Sequence, residues 1–139
     1  MKLLNQFIRE NRERPFKWGE WDCLIFTNEA WKVIYGFGWA DDWLGRYYKQ
    51  EKYNLQTLTP TQLKSEYGFS SLGEGVGSKL KRIKTFPPVG ALVAKKKVSN
   101  FSVGYGFGIA MGTNAAFLGR KGIAFLPIET VSMKWVNPT

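Results

Sequence analysis

"FKWGEWDCLIF", residues 16–26, decides how the chain is read. An aromatic turn closes here, and an apolar run at helical spacing begins with Cys23. Asp22 suits the N-cap of that helix, because its carboxylate can accept from the unpaired N–H groups of the first turn. Cys23 then stands at the first helical position, where free N–H groups and the positive helix end favour a thiolate. A carboxylate at Asp22 opposes that effect by like-charge repulsion. Phe26, Ala30, Val33 and Ile34 continue the helix, and "YGFG" (35–38) stops it. The stretch has the local form of a nucleophile site, yet the 139 residues hold one cysteine and no histidine.

Upstream, "MKLLNQFIRENRER" (1–14) places Leu3, Leu4, Phe7 and Ile8 at the spacing of a short amphipathic helix over 2–12. Pro15 ends it by biasing the preceding residue away from the α region. The segment turns polar too soon for a signal peptide, and no window reaches spanning length. Downstream, residues 39–56 lack a clean period and read as loop with a turn of helix. "TPTQLKSEYG" (59–68) carries a cap at Thr59, a proline at N1 and a stop at Gly68. A further short helix is expected near Ser71–Leu80, weakened by Gly73, Gly75 and Gly77.

Beyond Pro88 the character changes. "VGALVA", "VGYGFGIAMG", "NAAFL", "GIAFLPI" and "VSMKWV" are short apolar runs cut by glycine or polar residues, and they predict four or five strands of a mostly antiparallel sheet. Helices first and strands second give an α+β class. One domain over 1–139 is expected, with a helical half over about 1–85 and a sheet half over about 86–139. A single cysteine fits a reducing compartment.

The landmarks of the chain resemble a family of small bacteriophage proteins of unassigned function, distantly related to the NlpC-type cell-wall peptidases. The likeness runs from "RPFKWGEWDC" through "CLIFTNEAWKVIYG", "WLGRYY", "PPVGALVA" and "GFGIAMG" to the closing "KGIAFLPIETVSMKWV". It implies a papain-like arrangement, with the cysteine at the start of a long helix packed on a small antiparallel sheet. It also implies a virion or tail-assembly component, made in the host bacterial cytoplasm. In active relatives a histidine on the "GFGIAMG" strand pairs with the thiol. Here Gly106, or Tyr105 one register away, takes that place, and Gly90–Ala91 replaces the Gly–Asp pair of the first strand.

A thiol of ordinary pKa is only a few per cent ionised at neutral pH, and acyl transfer also needs a proton donor for the leaving group. No Lys, Tyr, Asp or Glu is marked out for that role. The expectation is a virion structural or interaction protein on a degenerate cysteine-peptidase-like fold, with Cys23 a vestigial nucleophile position that packs the helix. Two alternatives stand beside it: a working cysteine hydrolase or amidase on cell-wall peptide, which a histidine from a partner chain would revive, and a non-specific DNA-contacting accessory. Neither cofactor nor metal is expected: Asp41–Asp42 lack ligand spacing, and "GEGVG" lacks the Lys–Ser/Thr of a phosphate loop.

The formal net charge is +9. The excess concentrates in "KLKRIK" (Lys79, Lys81, Arg82, Lys84) and "KKK" (Lys95, Lys96, Lys97). These seven are the expected interaction residues, facing acidic neighbouring virion proteins (tail, portal or internal) or the phosphates of packaged DNA.

Overall fold

The computed structural model describes residues 2–17, 20–42, 44, 76–77, 79–96 and 105–138, with backbone alone at 96 and 105. Helix α1 (Lys2–Glu10) and helix α2 (Cys23–Tyr35) precede six strands: β1 (Lys81–Ile83), β2 (Leu92–Lys96), β3 (Tyr105–Ala110), β4 (Asn114–Gly119), β5 (Gly122–Pro127) and β6 (Met133–Val136). The strands form one sheet in the order β1-β6-β2-β3-β4-β5, and every pairing is antiparallel. The class is α+β, with the helices packed on the C-terminal sheet.

Alternation along the strands sorts the side chains into two apolar layers. Leu92, Ala94, Phe107, Ile109, Ala116, Leu118 and Trp135 meet α2 and α1, and this is the main core. Ala91, Val93, Ala110, Ala115, Phe117 and Ile128 form a smaller cluster on the opposite face. From α1, Leu4 and Ile8 enter the core, whereas Leu3 points to solvent at 62% exposure. The first two turns of α2 are buried almost all round, from Cys23 to Trp31 with only Glu29 half-buried.

Two expectations on the sheet need correction. The sheet has six strands, and it begins at Lys81, inside "KLKRIK" and not after residue 85. Strand β1 pairs with β6 through Lys81↔Val136, Arg82↔Trp135 and Ile83↔Lys134. It is short, charged and on the sheet edge, so it lacks the apolar alternation by which strands are recognised. The helix expected over 59–68 lies outside the described residues, as does most of that over 71–80. No helix among the described residues is long and apolar enough to cross a membrane.

The end of α2 is locked by a polar knot. Gly36 (φ 85°) caps the helix, its N–H donating to the Lys32 carbonyl at 2.9 Å. Buried Asn28 donates through Nδ2 to Asp41 Oδ1 and accepts from the Ala40 N–H, both at 2.7 Å. The Gly38 N–H donates to Asp41 Oδ2 at 3.1 Å, and Trp39 Nε1 donates to Thr27 Oγ1 at 3.1 Å. A β-carbon on Gly38 would lie 2.3 Å from Asn28 Oδ1 and from Asp41 Oδ1. Asn28 is fully buried and cannot retreat without breaking its bonds. Gly38→Ala is therefore expected to destabilise by about 1–3 kcal/mol in urea unfolding, and to cost less in an Asn28→Ala background. Equal costs in both backgrounds would show that the knot does not set the requirement for glycine.

Candidate functional site

The predicted site is the start of α2. Trp21 and Lys17 close the turn before it: the Lys17 N–H donates to the Trp21 carbonyl at 3.0 Å, and the Trp21 N–H to the Lys17 carbonyl at 2.7 Å. The Trp21 ring packs on Phe26 and Phe7, with centroids 5.8 and 6.2 Å away, and Arg14 sits 4.0 Å above it. The turn's aromatic face is thus spent on the core. Trp31 is buried against Tyr35, and Trp18 lies outside the described residues.

Asp22 is the N-cap, as its position implied. Its backbone is extended, and Oδ1 accepts from the Ile25 N–H at 3.0 Å while the residue itself is 1% exposed. Cys23 follows at 4% exposure. Burial pushes its thiol far above the usual range, and the Asp22 carboxylate pushes it further; the backbone N–H groups of Phe107, Cys23 and Leu24 oppose this with less effect. The helix-start effect is present but loses to desolvation. The thiol stays protonated at any physiological pH.

The sheet position beside the thiol is Phe107. Its ring is 2% exposed and packs against Trp39 and Trp135 at 5.6 and 6.3 Å. Gly106 is not where a base could reach Cys23. It pairs with Lys95 and alternates away from Phe107, which pairs with Ala94 in the main core, so residue 106 belongs to the sheet face opposite α2. Ala91 is likewise buried on the opposite face, among Ala110, Ala115 and Phe117. Phe107 escaped the sequence reading, although the alternation of "GFGIA" about Phe107 and Ile109 carries the signal.

The structure divides the expected basic patch. Lys79 pairs with Asp42. Lys81, Arg82 and Lys84 are exposed and have no acidic partner among the described residues. Lys95 is half-buried on β2; the Lys96 side chain and Lys97 lie outside the described residues. A residue the sequence did not single out joins them. Lys134 on β6 stands between Ile83 and Val93 in register, and its ammonium donates to the Lys84 carbonyl at 3.2 Å. Asp41 is committed to Asn28 and Gly38, and no group of three or more His, Cys, Asp or Glu side chains comes together among the described residues.

The chain belongs to the family DUF6950, a domain of unknown function, which it matches over residues 1–136. No curated protein and no solved structure matches it.

Two measurements check this site. Asp22→Ala should lose about 1 kcal/mol of stability and Asp22→Asn markedly less, because asparagine keeps the capping oxygen; equal losses would deny the cap. The raised thiol also carries a pH signature. Below about pH 8.5 the thiol is protonated in both states and contributes no pH dependence. Above that value the unfolded chain releases its proton and the folded chain keeps it, so stability falls by about 1.4 kcal/mol per pH unit. Denaturation of the native chain beside Cys23→Ala isolates this slope, and parallel curves through pH 10 would refute it.

Proposed function

We propose that the chain is a non-catalytic interaction module built on a papain-like arrangement of helix and sheet, and that it serves as a structural component of a bacteriophage virion. The burial of Cys23 in the core carries the first half of this reading. A cysteine hydrolase needs a thiolate open to substrate and an acid to protonate the leaving group. Here the thiol is desolvated, its neighbour on the sheet is the backbone N–H of Phe107, and the chain has no histidine. Without general acid–base help a rate loses about 10²–10⁴-fold. A histidine donated by a partner chain would still have to reach a thiol that is 4% exposed. The virion half is supported by the likeness of "WGEWDC" and its flanking landmarks to small phage proteins.

Alkylation of Cys23 by iodoacetamide tests the first half. The folded protein should react only as fast as it opens, with urea accelerating the reaction to the rate of a free thiol. Rapid labelling of the folded chain, with a midpoint well below that of an ordinary thiol, would restore the hydrolase reading. The virion half is tested by peptide mass spectrometry of purified particles, where absence of the chain counts against it.

A further inference from the structure

The segment that follows β1, "KTFPPVG" (84–90), presents apolar residues to solvent. Phe86 is 65% exposed and Val89 38%, the former the largest value for a large hydrophobic among the described residues. Pro88 between them is exposed too. Single exposed apolar residues need no explanation, but three within four residues, next to Lys81, Arg82 and Lys84, are a composed surface.

The loop is also held still. At its start the Lys84 carbonyl accepts from Lys134. At its end the Ala91 N–H donates to the Pro88 carbonyl at 3.1 Å, the Gly90 N–H to the Ala110 carbonyl at 2.8 Å, and the Ala110 N–H to the Ala91 carbonyl at 2.9 Å. Gly90 supplies the positive φ of 96° that this turn requires. Pro87 is buried, and both prolines fix their own φ. A side chain displayed on a loop that is already ordered is immobilised at low entropic cost, which is how anchor residues act at protein interfaces.

We propose that residues 81–89 form a docking surface for an acidic protein, with Phe86 and Val89 entering an apolar pocket of the partner and Lys81, Arg82 and Lys84 meeting carboxylates around its rim. The charge of the surroundings selects this partner. Between Glu74 and Glu129 the chain has no acidic residue, and among the described residues no carboxylate pairs with Lys81, Arg82 or Lys84. A second copy of the chain would bring the same positive surface against itself and be repelled. A nucleic acid would use a series of rings along its path, whereas this surface offers one ring beside a valine and a proline, which have no stacking face. An apolar anchor within a charged rim is the anatomy of a protein contact.

This names the partner class of the interaction module proposed above, and its test leaves Cys23 untouched, so the two readings fail separately. The probes are a Glu/Asp-rich peptide with two central leucines, the same peptide with serines there, oligo-dT, and phosphatidylserine vesicles. Backbone amide shifts and affinities are read by NMR at physiological salt. The leucine peptide should bind about tenfold more tightly than the serine peptide and perturb Lys84, Phe86 and Val89. Phe86→Ala should remove that difference, Lys84→Glu should weaken both peptides, and Phe125→Ala on β5 should change neither. Tighter binding of oligo-dT or vesicles, an equal affinity for the two peptides, or shifts lying outside 81–89 would overturn the proposal. Thermal unfolding of Phe86→Ala at the native temperature establishes that any lost binding is not lost folding.

Discussion

Helix α2 enters the interior with its first turn, and that single placement governs the rest. A helix end carries unpaired N–H groups, and a desolvated polar group costs about 1–3 kcal/mol when it finds no partner. Buried Asp22 answers the Ile25 N–H, Thr27 Oγ1 donates back to the Cys23 carbonyl at 2.7 Å while accepting from Trp39, and Asn28 holds the returning chain at Ala40 and Asp41. Three donors are left over. The indole N–H groups of Trp21, Trp31 and Trp135 are buried without a partner among the described residues. Their rings are retained for volume and contact, which in a core this aromatic outweighs a few orphaned donors.

The same placement explains how the sheet is closed off. A sheet that pairs one face with α2 still exposes two edge strands, and an open edge invites pairing with another chain. At one edge β1 carries Lys81 and Arg82, whose charges resist that pairing. At the other, the segment leaving α1 lies against β5: the Ile123 N–H donates to the Arg12 carbonyl at 2.9 Å, and the Phe16 N–H to the Arg120 carbonyl at 3.3 Å. Gly122 (φ 140°) permits the approach, since a β-carbon there would sit 2.3 Å from the Arg12 carbonyl oxygen. Pro127 ends β5 with no N–H to offer. The connection that delivers the chain to α2 thus doubles as an edge guard.

What could be read from the residues follows which forces are local. The cap at Asp22, the stop at Gly36 and the burial of Phe26 and Ala30 depend on neighbours a few positions away, and all were legible. The strands after Pro88 announced themselves by short apolar runs. Strand β1 did not, because its pairing with Trp135 and Lys134 joins residues some fifty positions apart, and its own side chains are charged. Lys134 was hidden for the same reason, sitting in "VSMKWV" as one cation among apolar residues. Between the two positions the sequence offered for a base, register decides: strand alternation puts Gly106 on the face away from α2 and position 105 on the same face as Phe107.

Charge segregation completes the physical picture. Acidic residues occur up to Glu74 and then only at Glu129, while the sheet half supplies cations at Lys81, Arg82, Lys84, Lys95 and Lys134. The ion pair of Lys79 with Asp42 ties the segment that leads into β1 to the one that follows α2, and being half exposed at the carboxylate it contributes little stability. A net positive charge of this size costs compactness through self-repulsion. At the start of α2, by contrast, the thiol is covered, Asp22 caps the helix, and the Trp21 ring packs inward on Phe26.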